Sequence, residues 1–160
     1  MHMPRHMRSV AAAIITIAGS IHAEAAGDLS RQMPIEVTID LGKLGEHVFS
    51  PNQLKFETGK LYKLILRNPS IDPHYFTSHD FSQRIYTRKV QVTQTQDGKA
   101  VPLAEFKGAI REIEVYPGQT AEWWFVPVAA GRLTDLHCGV IGPDGKTHRE
   151  HGMVGEIIIE

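Results

Sequence analysis

Residues 136–155 read LHCGVIGPDGKTHREHGMVG and contain the protein's only cysteine together with three histidines and a methionine. Nine residues separate Cys138 from His148, and four separate His148 from Met153. A thiolate, imidazoles and a thioether are soft or borderline ligands, which favour copper over hard cations. The apolar residues that follow, up to Ile159, predict a strand. We therefore interpret this segment as a ligand loop that leads into a final β-strand.

The remainder of the chain predicts short strands separated by turns. In residues 35–41 apolar side chains alternate with polar ones, which is typical of a half-buried strand. Similar segments end at glycine, proline or asparagine, and little helical periodicity is present. This pattern indicates an all-β sandwich of seven or eight strands. The further predicted strands cover residues 49–56, 61–66, 109–115, 120–126 and 132–138.

Residues 77–109 predict a short helix and a hairpin. Ser78 is a suitable N-cap for a short helix, with Phe81 and Ile85 on one face. Asp97-Gly98 is typical of a hairpin turn. We expect a short helix and an exposed hairpin. The hairpin either shields the site, forms a docking surface, or only extends the sheet.

The order of these motifs resembles the cupredoxins, the small blue-copper proteins. The resemblance is carried by the Cys138 loop and by three upstream segments, Phe49-Ser-Pro-Asn-Gln-Leu-Lys-Phe56, Leu61-Tyr-Lys-Leu-Ile-Leu-Arg-Asn68 and Pro73-His74-Tyr75-Phe76. It covers most of residues 35–160. It implies a Greek-key cupredoxin β-sandwich of seven or eight strands, with the short helix and hairpin inserted.

The resemblance also implies one type 1 copper ion as the cofactor. The implied ligands are His74, Cys138, His148 and, in the axial position, Met153. His79 is the main alternative for the first histidine, and His151 is an alternative for the second. We interpret His47 as a solvated loop histidine and His137 as structural or solvent-facing, since it precedes Cys138 on a strand.

Two features depart from the compact blue proteins. The interval from Cys138 to His148 is long and is closer to that of the copper nitrite reductases. We therefore hypothesise a perturbed, green-tinged centre. Tyr75 follows His74 where many relatives have asparagine, which puts in doubt a hydrogen bond that tunes the ligands.

The N-terminus has the layout of a secretory signal peptide. Arg5 and Arg8 precede a short apolar run, and small residues follow at 23–26. We predict a signal peptide at residues 1–25, cleavage near 23–26, a single domain at 26–160 and a periplasmic location. The apolar run is shorter than the about 20 residues of a membrane span, so none is expected in the mature chain. A retained helix or membrane anchor is the alternative.

These observations predict an exported electron-transfer protein rather than an enzyme. Its expected partner is a redox protein such as a cytochrome. The alternative is a copper-tolerance protein that binds or oxidises excess copper. Catalysis of the nitrite reductase kind would need a second domain. A formal net charge of −1 without a basic block argues against nucleic acid as a partner.

Overall fold

The computed structural model describes residues 32–96 and 98–160, which form eleven strands and one short helix. The predicted signal peptide, residues 1–25, lies outside the described residues. None of the described helices has the length and apolar character needed to cross a membrane. In chain order the elements are β1 (Ile35–Lys43), β2 (Glu46–Ser50), β3 (Gln53–Phe56), β4 (Tyr62–Arg67), β5 (His74–Thr77), α1 (His79–Gln83), β6 (Ile85–Gln96), β7 (Lys99–Phe106), β8 (Glu112–Val115), β9 (Thr120–Pro127), β10 (Gly131–His137) and β11 (Val154–Ile159).

The strands form two mixed sheets. One has the order β2-β1-β4-β9-β6-β7, and the other has the order β3-β11-β10-β5-β8. The pairs β1–β4 and β3–β11 are parallel and the others antiparallel. This confirms the predicted all-β sandwich with a short helix. More strands are present than expected, partly because the turn at Pro51 and Asn52 sends β2 and β3 into different sheets.

The core lies between the two sheets and is rich in aromatic side chains. Alternate residues of the central strands face inward, as the period-two pattern predicted. Trp123 and Phe125 of β9 are fully buried and meet Phe81 edge-on, with ring centroids 5.5 and 5.0 Å away. Burying one such side chain contributes about 1.5–3 kcal/mol, so this cluster stabilises the sandwich that carries the site.

The insertion has the predicted helix and hairpin. The Ser78 side chain accepts a hydrogen bond from the Phe81 N–H at 3.2 Å and caps α1. The Ser78 hydroxyl also donates to Asp135 of β10 at 2.6 Å, which ties the helix to the strand that precedes Cys138. Ile85 begins β6 rather than ending the helix. The β6–β7 hairpin pairs with β9, so it extends the six-stranded sheet.

Candidate metal centre

The loop between β4 and β5 places His74, and a buried asparagine organises it. The Asn68 side-chain amide donates to the carbonyl oxygens of Asp72 at 2.8 Å and Val115 at 2.7 Å. Its Oδ1 accepts hydrogen bonds from the Ser70 backbone N–H at 2.9 Å and hydroxyl at 2.8 Å. The amide thus joins the loop to β8, and β5 begins at a fully buried His74.

Ser70 orients the His74 ring. The Ser70 hydroxyl lies 2.8 Å from His74 Nε2, while His74 Nδ1 lies 3.7 Å from Cys138 Sγ and 3.1 Å from His148 Nδ1. An Nε2–H donated to Ser70 leaves the lone pair on Nδ1, towards the sulfur. Burial, followed by the neighbouring His148 and His47, lowers the pKa of His74 to about 4. At neutral pH the ring is therefore uncharged, which is the form that binds a metal.

Cys138 follows β10 directly and is fully buried. The backbone N–H of Tyr75 donates to its sulfur at 3.3 Å. This bond does not depend on the side chain at position 75, so the sulfur keeps a donor although asparagine is absent there. Burial raises the pKa of the Cys138 thiol above its usual value, so a metal ion must displace the proton when it binds.

The long interval after Cys138 folds back on itself. Ile141 and Thr147 pair as an isolated antiparallel bridge, and the Gly142 N–H donates to the Lys146 carbonyl at 2.7 Å. The additional residues form this turn. The His148 N–H donates to the Val140 carbonyl at 2.8 Å, and His148 Nδ1 lies 3.5 Å from Cys138 Sγ. The histidine therefore reaches the cysteine despite the length of the loop.

A reciprocal pair of hydrogen bonds fixes the turn that carries His148. The Thr147 N–H donates to Glu150 Oε2 at 2.7 Å, and the Glu150 N–H donates to Thr147 Oγ1 at 3.2 Å. This is a capping-box arrangement, which the spacing Thr-x-x-Glu in the sequence could have indicated. Two backbone hydrogen bonds close the loop. The Met153 N–H donates to the His148 carbonyl at 2.9 Å, and the Cys138 N–H donates to the Met153 carbonyl at 3.2 Å. Met153 is fully buried.

The structure brings together His74, Cys138 and His148, whose donor atoms lie 3.1–3.7 Å apart. Donors bound to one ion at about 2.0–2.3 Å stand about 3–4 Å apart, so the three fit a single metal. The two alternatives are not among these donors. His79 is exposed on α1 and contacts Gln83 at 2.7 Å. His151 is exposed at the edge of the group, with its ring centroid 5.6 Å from that of His47, and its Nε2 lies 3.0 Å from an Asp144 oxygen.

His47 belongs to this cluster, and its interpretation as a solvated loop histidine is wrong. It lies on β2, is half-buried, and stacks on His148 with ring centroids 3.8 Å apart and planes inclined by 20°. The possible ligand atoms of His47, His74 and His148 all lie within 4.8 Å of one another. A signal was present in the sequence, because His47 and the buried Phe49 are two residues apart and therefore share a strand face.

Gly42 is a further residue that the sequence interpretation missed. Its φ angle is +78°, and a Cβ at this position would stand 2.3 Å from His74 Nε2. The sequence suggested only that this glycine interrupts a strand. In the structure it lies at a bulge in β1, where the backbone packs directly against the His74 ring.

No model of a known protein family matches the sequence, and no characterised protein matches it by sequence. Solved structures do match. A copper nitrite reductase from Nitrosomonas europaea aligns with a TM-score of 0.53 and 10% identity, over 79% of this chain and 48% of that chain. A multicopper oxidase from Campylobacter jejuni aligns with a TM-score of 0.52 and 18% identity, over 80% and 30%. Auracyanin A from Chloroflexus aurantiacus, a blue copper protein, has a TM-score of 0.47 and 16% identity, over 80% and 100%.

Proposed function

We propose that this chain, which has the cupredoxin fold, is a type 1 copper protein that transfers single electrons. The proposed ligands are His74, Cys138, His148 and the axial Met153. The observation that supports this most is the convergence of two imidazole nitrogens and one cysteine sulfur, 3.1–3.7 Å apart, in a buried site. Two histidines and one cysteine in a trigonal arrangement, with a weak methionine, are diagnostic of such centres.

The donor set suits a metal that changes its oxidation state. Bound copper would supply the one-electron chemistry, and the thioether of Met153 is a ligand that favours Cu(I) over Cu(II). The protein contributes by fixing the orientation of the donor side chains. Ser70 orients His74, the Thr147–Glu150 pair fixes His148, and the Tyr75 N–H holds the sulfur. A site that moves little on oxidation exchanges electrons quickly.

The proposed partner is another redox protein, such as a cytochrome. Three exposed apolar side chains support a docking surface near the metal. Leu44 is 77% exposed in the turn before His47, Ile71 is 70% exposed in the loop before His74, and Ile141 is 68% exposed in the loop before His148. An apolar contact on these segments, which lead to His74, to His148 and to the His47 ring stacked on His148, would bring a second redox centre close to the copper.

The proposed location is the periplasm, reached through the signal peptide at residues 1–25. An exported protein encounters an oxidising environment, in which an exposed unpaired thiol is open to oxidation. Cys138 is buried and surrounded by imidazoles, which suits that environment. Copper tolerance is the second candidate. It predicts that deletion of the gene makes cells copper-sensitive without a respiratory defect, whereas a carrier predicts the respiratory defect.

Copper reconstitution tests the proposal. The purified wild type should bind one copper ion per chain and show an intense thiolate-to-copper charge-transfer band in its visible spectrum. Cys138→Ser should lose that band completely, since an alcohol cannot replace the thiolate. His79→Ala is the matched control and should leave the spectrum unchanged. A wild type without the band, or a Cys138→Ser variant that keeps it, would overturn the assignment.

A further inference from the structure

We propose that His47 is a third imidazole ligand of the metal, alongside His74 and His148. The inference rests on the proposed function, because it concerns the same ion. It changes the donor set from two nitrogens to three. Three observations carry it: an unpartnered buried nitrogen, the close grouping of the donor atoms, and the origin of His47 in the opposite sheet.

The first observation is the hydrogen bonding of His47. Among the described residues, its Nδ1 is the one buried side-chain nitrogen or oxygen that has no hydrogen-bond partner. Buried polar atoms are nearly always paired, because an unpaired one loses its hydration without compensation. A metal ion bound to this nitrogen would supply that compensation.

The second observation is the distance to the other donors. The possible ligand atoms of the three histidines lie within 4.8 Å of one another, and the His47 ring centroid is 5.9 Å from that of His74. Donors on opposite sides of one ion are about 4 Å apart, so the spacing of the three atoms is within about 1 Å of what one ion requires. Because the His47 ring stacks on His148, it must also turn for its in-plane lone pair to face the same ion.

The third observation is where His47 comes from. His74 and Cys138 belong to the five-stranded sheet or follow it directly, whereas His47 lies on β2 at the edge of the six-stranded sheet. His47 therefore reaches the cluster from the other layer of the sandwich. His47 can therefore approach the other donors only when the two sheets are packed together, and the Cys138 loop alone cannot supply the third nitrogen.

A third imidazole changes which metals the site holds. Imidazole binds Cu(II), Zn(II) and Ni(II) well, whereas a thioether is a poor ligand for all three. Three histidines would therefore retain Cu(II) even without the thiolate. In the wild type they would also favour Cu(II) over Cu(I), and so lower the reduction potential relative to a site with two histidines.

The test isolates the nitrogens by removing the sulfur. Cu(II) affinity is measured by competition with a chelator for Cys138→Ser and for the double variant Cys138→Ser/His47→Phe, in which phenylalanine keeps a ring against His148 but offers no donor. We expect the double variant to bind Cu(II) at least tenfold more weakly. EPR nitrogen couplings should fall from three nitrogens to two. Cys138→Ser/His79→Ala is the matched control, since His79 is exposed on α1, and it should retain both properties.

Two results separate this inference from the proposed function. In the first, the wild type shows the thiolate band, and His47→Phe has the same spectrum, copper affinity and reduction potential. His47 then lines the site without binding the metal, so the inference fails while the proposed function stands. If the wild type lacks the band but the three-nitrogen signal depends on His47, the proposed function fails and the inference stands. Far-ultraviolet circular dichroism of each copper-free variant confirms that it is folded before its binding is compared.

Discussion

At the scale of single residues, the site depends on groups that are not themselves donors. The Ser70 hydroxyl lies 2.8 Å from His74 Nε2, and an Nε2–H donated to it leaves the Nδ1 lone pair towards the sulfur. Gly42 leaves the space that the His74 ring occupies. Such supporting contacts typically change metal affinity by about 10- to 100-fold when they are removed. Their contribution is one of orientation, because neither residue offers the ion a donor in this arrangement.

Gly42→Ala should therefore displace His74. A Cβ would stand 2.3 Å from Nε2, and the φ angle of +78° is also unfavourable for alanine. We expect a loss of about 2–4 kcal/mol in the free energy of unfolding and at least a tenfold loss of copper affinity. Gly45→Ala is the control, since Gly45 has the same φ angle but no atom within 4 Å of its Cβ position. It should lose about 1 kcal/mol and bind copper normally. Equal copper affinities in the two variants would contradict the prediction.

The buried His74 also predicts how the copper-free protein responds to acid. Its pKa is lowered from 6.5 to about 4, so below pH 6.5 the unfolded chain takes up a proton that the folded chain does not. His74 should not reduce the free energy of unfolding above pH 6.5. As the pH falls towards 4, the free energy of unfolding should decrease, and His74 should account for about 1–2 kcal/mol of this decrease after screening by solvent.

Urea denaturation of the copper-free protein between pH 7 and pH 4 measures this effect. Other groups titrate in the same range, so the informative quantity is the difference between the wild type and His74→Gln, which cannot take up the proton. The wild type should lose more stability than the variant over this interval. Two parallel curves would show that His74 does not contribute.

At the scale of elements, the loop from Cys138 to Met153 behaves as a small structure of its own. It contains the bridge between Ile141 and Thr147 and the capping pair Thr147–Glu150, and it is closed by the bond from the Cys138 N–H to the Met153 carbonyl. The long spacing therefore does not move His148 away from the sulfur. The extra residues form a turn, and the two ends of the loop, at Cys138 and Met153, remain hydrogen-bonded to each other.

Glu150→Ala should weaken this loop without removing a donor. The carboxylate accepts hydrogen bonds from the Thr147 N–H at 2.7 Å and hydroxyl at 2.8 Å, and these bonds lower the pKa of Glu150. We expect a small loss in the free energy of unfolding and a several-fold faster release of copper to a chelator. Arg149→Ala, an exposed neighbour whose backbone bond to Cys138 is retained, should behave as the wild type. A release rate in Glu150→Ala equal to that of Arg149→Ala would show that the capping pair does not hold His148.

At the scale of the whole molecule, the cluster lies where the two sheets meet. The aromatic core that includes Trp123 and Phe125 holds the sheets at a fixed separation, and His47 and His74 approach each other across that interface. A metal ion at this place would link the two layers directly. Binding and folding are then coupled, because the complete donor set exists only in the packed sandwich.

Copper should therefore stabilise both sheets together. With free metal at 1,000 times its dissociation constant, the gain in unfolding free energy is about 4 kcal/mol. Hydrogen exchange measured with and without Cu(I) under anaerobic conditions should slow in β2 as well as in β5 and β10. In His47→Phe the slowing should remain in β5 and β10 and decrease in β2. Protection confined to the five-stranded sheet in the wild type would contradict this coupling.

The sequence was sufficient for the parts of the site that are local. Cys138, His148 and Met153 lie in one loop, and their spacing carries the resemblance that predicted the fold and copper as the cofactor. The alternating apolar residues predicted the sandwich, and Ser78 with Asp97-Gly98 predicted the helix and the hairpin. Each of these signals depends on neighbours in the chain, which periodicity and turn residues report directly.

Tertiary packing settled the relations between distant segments. Whether His74 or His79 approached Cys138 depended on the β4–β5 loop held by Asn68, whose partner on β8 is 47 residues away. The positions of His47 and Gly42 beside His74 depended on the packing of the six-stranded sheet against the other. The sequence pattern shows only that such residues face the interior. It does not show which residues of the two sheets meet there, because that depends on how the sheets pack.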